Sequence, residues 1–244
     1  MTGVSAGVRR RIAVLNPNTT QSMTELMAAC AAPLVDPGTE LVAITNRTGP
    51  ASIESHVDEA LAVPGLLREV GAAEADGVHG FVLACFGDPG LDACRELASG
   101  PVVGIAEAAM HVATMLGRSF SVVTTLARTM GQAEHLVHRY GYAAKCRSIY
   151  ACEVPVLELH EPASEARKLV VDHCRRAVEY DEADSIVLGC AGMADFCTDV
   201  SEQVGVPVID GVTAGVLLVE SMVKLGLRTS TRSEYAAPLP KAYL

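Results

Sequence analysis

The chain repeats itself. Phe81-Val82-Leu83-Ala84-Cys85-Phe86-Gly87 aligns with Ile186-Val187-Leu188-Gly189-Cys190-Ala191-Gly192. In each, an apolar run ends at a cysteine and a glycine follows two positions later. Downstream, Pro101-Val102-Val103 answers Pro207-Val208-Ile209. Upstream, Ile12-Ala13-Val14-Leu15-Asn16 resembles Phe120-Ser121-Val122-Val123-Thr124. The copies lie about 105–108 residues apart, a spacing that suits duplicated domains and not a solenoid.

Within each copy, short apolar runs alternate with helical stretches. Strands are expected over residues 11–15, 41–44, 81–84 and 102–105, then over 120–123, 186–188 and 208–209. Helices are expected over 23–32, 55–75 (with a kink or break at Pro64) and 214–225. Buried strands alternating with helices imply parallel sheets covered on their faces. The expected fold is therefore α/β: two pseudo-symmetric domains, each a parallel sheet flanked by helices, with the active site in the inter-domain cleft. The first domain is read as residues 1–101 plus 214–244, its last helix crossing back, and the second as 102–213. The tail from 228 to 244, with Pro238 and Pro240, reads as an extended arm against a neighbouring subunit.

Bulk properties remove several classes of partner. A net charge of −10 argues against nucleic acid and anionic membranes, which need a basic surface. No apolar run approaches the roughly 20 residues needed to span a bilayer. Arg9-Arg10-Arg11 leads only into a short strand and Asn16-Pro17-Asn18, which is not a secretory signal. The expected location is the cytoplasm. The eight cysteines are scattered, with no Cys-x-x-Cys pair, as in a protein of reduced thiols.

Cys85 and Cys190 stand apart because of where they fall. In open parallel sheets ligands bind at the carboxyl ends of strands, and both cysteines belong there. Asp88 reads as a helix N-cap with Pro89 at the first helical position. The turn would then place backbone N–H groups and a helix N-terminus beside the sulfur. Such surroundings are expected to lower a thiol pKa from its free value of about 8.5. The N–H groups of Phe86, Gly87, Ala191 and Gly192 could hold an enolate oxygen. Either cysteine alone is accounted for as a small residue in a tight turn; their recurrence points to chemistry. Two thiols flanking one carbon can remove a proton from one face and return one to the other. Asn16 and Thr124, at corresponding strand ends, and the adjacent Thr125 are expected to face the same cleft. The loop with Gly49, Pro50, Ile53 and Glu54 is a candidate pocket mouth.

Other constellations are weaker. His135-x-x-His138 has one-face helical spacing but no third ligand, so no metal site is assigned. His173-Cys174 sits in a charged helix. No P-loop, no Gly-x-Gly-x-x-Gly after a strand and no Gly-x-Ser-x-Gly elbow occurs, and no cofactor is expected.

Four segments resemble the Asp/Glu/hydantoin racemase superfamily and, within it, the hydantoin and allantoin racemases. They are Val14-Leu15-Asn16-Pro17-Asn18-Thr19, Ala84-Cys85-Phe86-Gly87-Asp88-Pro89-Gly90-Leu91, Pro101 through Ala108, and Val187-Leu188-Gly189-Cys190-Ala191-Gly192-Met193. The closing Tyr243-Leu244 is similar as well. The resemblance implies two-base catalysis by Cys85 and Cys190 without cofactor or metal, a small-molecule hydantoin substrate and a homo-oligomer. Amino-acid racemases of the superfamily typically follow their cysteines with Asn-Thr and Thr-His; here Phe86-Gly87 and Ala191-Gly192 leave mainly backbone donors. That difference favours a neutral cyclic ureide over a free amino acid. The expectation is a racemase of 5-monosubstituted hydantoins, with allantoin as the nearest alternative. Behind these stand an Asp/Glu-type racemase, a cysteine-dependent maleate isomerase or arylmalonate decarboxylase, and, outside catalysis, a small-molecule binder or thiol redox sensor.

Overall fold

A computed structural model describes residues 9–160 and 165–241; Tyr243-Leu244 lies outside them. The chain forms two four-stranded sheets, every strand pair parallel. The first holds β1 (Arg10–Asn16), β2 (Thr39–Thr45), β3 (Gly80–Leu83) and β4 (Val102–Gly104), in the order β2-β1-β3-β4. The second holds β5 (Phe120–Thr124), β6 (Cys146–Ala151), β7 (Ile186–Gly189) and β8 (Val208–Asp210), in the equivalent order β6-β5-β7-β8. Leu15 pairs with Leu83, and Val123 with Leu188. Asn16 and Thr124 are therefore true counterparts, one residue beyond matching pairs.

Helices α1 (Gln21–Ala31), α2 (His56–Ala75), α3 (Leu91–Leu97) and α4 (Ile105–Leu116) intersperse the first four strands. They are followed by α5 (Met130–Arg139), α6 (Glu165–Asp181), α7 (Cys197–Val204) and α8 (Gly211–Lys224). The period of two along β1 explains the layering. Ile12 and Val14 join a large core that continues through Phe120, Val122 and Val187 of the second sheet. Ala13 and Leu15 face a separate core with Leu66, Phe81, Leu83 and Leu91. Two helices change sides. α4 follows β4 yet packs against β5, β7 and β8, whereas α8 follows β8 yet packs against β1, β3 and β4. They cross at their first turns, where a Cβ on Gly211 would lie 2.2 Å from the carbonyl oxygen of Ile105.

Four local expectations differ from the structure. Pro64 breaks nothing: α2 runs through it, capped at its start by Ser55, whose Oγ accepts from the Asp58 N–H. Strand β6 was not anticipated, because its sequence Cys-Arg-Ser-Ile-Tyr-Ala is that of a partly exposed edge and carries little apolar signal. The helix expected from residue 214 already begins at Gly211, behind the side chain of Asp210. Asp88 does not cap α3, which starts after Gly90 in the left-handed region (φ 70°). Its carboxylate instead accepts from the N–H groups of Ala106 and Glu107 and so caps α4. In the second copy Asp210 does the same for α8 from the adjacent position, accepting from Val212 and Thr213. The first copy has Gly104 there, and a Cβ on Gly104 would overlap the Asp88 carboxyl.

Candidate active site

Strands β3, β5 and β7 end at one cavity. β3 delivers Ala84-Cys85-Phe86-Gly87 and β7 delivers Gly189-Cys190-Ala191; Thr124 and Thr125 come from the end of β5. Asn18, Met23, Ile53, Thr129, Gln132, Ala133 and Val156 complete the lining. The two cysteines thus open on the same space, close enough for their charges to act on one another.

The repeated Cys-x-Gly spacing has a physical basis. The Gly87 N–H donates to the Cys85 sulfur, and the Gly192 N–H to that of Cys190, so each turn folds a backbone dipole back onto its thiol. The expected lowering of thiol pKa does not result. Burial pushes Cys85 up to about 12 and Cys190 up to about 11, against the opposing pull of the glycine N–H groups. One N–H cannot replace the water that a thiolate loses in a protein-walled cleft. Carboxylates add to the rise, Glu59 acting on Cys85 and Glu54 on Cys190. Both sulfurs are therefore thiols at neutral pH.

The remaining expected residues divide. Phe86, Gly87, Thr124, Thr125, Ala191 and Ile53 line the cavity beside the cysteines. Gly192 lies just behind, a Cβ there being 3.6 Å from the Cys190 sulfur. Asn16, Gly49 and Pro50 do not line it. The Asn16 amide donates to Asn18 Oδ1, the Thr20 carbonyl and Thr24 Oγ1, and its own oxygen accepts from the Asn18 N–H. Held by these bonds, Asn16 shapes the turn that presents Asn18. Pro50 ties the loop down from behind, its carbonyl accepting from the Thr19 N–H. Thr124 Oγ1 donates to the Gly189 carbonyl, fastening the two central strand ends.

Sequence reasoning names Glu54 only as part of the pocket-mouth loop and misses Glu59 and Gln132. Glu54 Oε1 accepts from the Val156 N–H, and Glu59 accepts from Gln132 Nε2. Each joins the segment before or within α2 to a cleft-lining residue of the second half, Val156 or Gln132. Neither pair leaves a sequence signal, because the partners are 102 and 73 positions apart. Among the described residues, no Lys, Arg or His lines the cavity. Among the described residues no group of three or more His, Cys, Asp or Glu is arranged to hold a metal. No helix there is long and apolar enough to cross a membrane.

Residues 12–219 match the family model described as Asp/Glu/Hydantoin racemase. The chain is 47% identical over 232 residues to a hydantoin racemase of Rhizobium meliloti, covering 95% of this chain and 96% of that one. It is 44% identical over 234 residues to a hydantoin racemase of Pseudomonas sp. (strain NS671), covering 96% and 94%. Among solved structures, an allantoin racemase from Klebsiella pneumoniae superposes with a TM-score of 0.94 at 49% identity, over 96% of each chain.

Proposed function

The chain belongs to the Asp/Glu/hydantoin racemase family, and on that basis we propose that it interconverts the enantiomers of 5-monosubstituted hydantoins, allantoin included. The observation that carries this reading is a pair of duplicated thiols opening on one cleft, with no cation among the described residues that line it. A free amino acid would bring a carboxylate, and no side chain among the described lining residues would balance its charge. A hydantoin ring is neutral, and its C4 carbonyl becomes an enolate oxygen when the C5 proton leaves. The N–H groups of the Phe86-Gly87 and Ala191-Gly192 turns are the available donors for that oxygen.

In this mechanism one sulfur, as thiolate, takes the C5 proton and the other, as thiol, supplies a proton from the opposite face. The product then leaves the sulfurs in exchanged protonation states. Cys85 and Cys190 are the catalytic residues; Thr124, Thr125, Phe86 and Ala191 bound the substrate. No cofactor or metal is invoked. A homo-oligomer in the cytoplasm completes the reading. For the division into 1–101 plus 214–244 and 102–213, the packing of α8 on β1, β3 and β4 supports grouping that helix with the first domain. Strand β4, paired with β3, belongs to the first sheet and moves the boundary beyond Gly104.

The test is racemisation of hydantoins in deuterated water, followed by loss of optical rotation and by deuterium at C5. Cys85→Ser and Cys190→Ser should each lower racemisation at least about a hundredfold. A single variant should retain exchange into one enantiomer, whose face the remaining thiol serves. Full racemisation in either variant would refute the two-thiol assignment.

A further inference from the structure

One wall of the cleft is not used by the two-thiol chemistry. Glu59 on α2 and Gln132 on α5 meet there from opposite halves, the Gln132 amide donating to the Glu59 carboxylate. The pair lies directly over Gly87: a Cβ at Gly87 would stand 2.2 Å from Glu59 Oε1 and 2.4 Å from Gln132 Nε2. Gln132 lines the cleft on one side. On the other, both residues line an open surface groove together with Arg128 and His135. The pair is thus a polar partition between cleft and exterior, set beside the turn that holds Cys85.

It sets a carboxylate behind a cleft whose other polar side chains, Asn18, Thr124, Thr125 and Thr129, are uncharged. Glu59 is half-buried, and burial raises its carboxyl pKa; the exposed ring of His56 is its other neighbour, at 3.6 Å. A carboxylate beside a carboxamide offers acceptors and a donor side by side. During two-thiol proton transfer the C5–H direction follows the line between the sulfurs. The ring and its 5-substituent then occupy the plane between them, and the substituent runs to a wall.

We propose that Glu59 and Gln132 are specificity-determining residues that select 5-substituents ending in a urea or carboxamide over hydrocarbon ones. The selectivity rests on the hydantoin racemisation proposed for this chain. A ureido group presents an N–H to the Gln132 carboxamide oxygen and its carbonyl to the second N–H of that amide, which Glu59 holds in place from behind. A hydrocarbon substituent desolvates the same pair and returns no hydrogen bond, so it is disfavoured.

The measurement is kcat/KM for allantoin and for 5-benzylhydantoin, taken as a ratio. Wild-type protein should favour allantoin. Glu59→Leu and Gln132→Leu should each lower the ratio at least about tenfold, whereas Glu59→Gln, which keeps a hydrogen-bonding edge, should stay closer to wild type. Should the leucine variants fail to fold, Gln132→Asn, one methylene too short to reach Glu59, is expected to lower the ratio as well. Equal losses on both substrates, or an unmoved ratio, would overturn the assignment and reduce the pair to a structural clasp. Wild-type protein that racemises both compounds while every variant keeps its ratio refutes the wall alone; wild-type protein that racemises neither refutes the racemase function and the wall together.

Discussion

Two glycines explain why the cysteines are spaced as they are, and the same residues show how far local chemistry goes. Cys85 and Cys190 were legible because a strand ending in Cys-x-Gly occurs twice, and repetition is a signal that needs no tertiary information. Their protonation was not. A thiol next to an N–H donor reads as a lowered pKa, but the cleft withdraws water from all sides and burial wins. This has a kinetic consequence. The working form of the pair carries one thiolate and one thiol. With the thiols at about 11 and about 12, that form is scarce at neutral pH and grows about tenfold per pH unit below the first titration. The expected pH profile of kcat/KM therefore rises with unit slope from pH 7 to 9. A plateau across that range would mean the thiolate is already formed in the free enzyme.

Asp88 shows the corresponding lesson for elements. Its neighbours Pro89 and Gly90 suggested a cap for the next helix, which is the local choice. The backbone at Asp88 turns through φ 44° instead, and the carboxylate serves α4, with the Tyr140 hydroxyl from the end of α5 donating at 2.6 Å. One side chain thereby ties the Cys85 turn to a helix of the other sheet and to a tyrosine from the second half. Burial raises the Asp88 carboxyl to about 6, so the charged form is held there at a cost that three hydrogen bonds offset. Asp88→Ala strands the α4 N–H groups and the tyrosine hydroxyl and should cost about 1–3 kcal/mol. That corresponds to a drop of several degrees in Tm, read by calorimetry at pH 7; an unchanged Tm would show the cap to be dispensable. The exchange of α4 and α8 between sheets belongs to the same scale. Their apolar faces predicted helices, but either sheet could have covered them.

Across the whole molecule, all eight cysteines have pKa values raised by burial from an ordinary value near 9. A thiol whose folded pKa is raised stabilises the fold fully below its unfolded pKa, and that stabilisation is lost as pH climbs through the folded value. Thermal stability should hold up to about pH 9 and decline steeply beyond it. Replacing Cys94 and Cys174, both fully buried away from the cleft lining, by alanine should flatten that decline. An equal slope in the double variant would assign the loss to general charge repulsion.

Alternating apolar strands, helix periods and a repeated turn are properties of neighbouring residues. A reader of the chain can therefore arrive at paired parallel sheets, at a site on their carboxyl ends and at two sulfurs facing it. Contacts such as Glu59 with Gln132, Glu54 with Val156 and Asp88 with Tyr140 join positions 52 to 102 apart. Their partners are chosen by how the two halves dock, because a carboxylate entering a dry interface must find whichever donor the packing brings there. Docking also decides the protonation of the sulfurs, since only the assembled cleft removes their water.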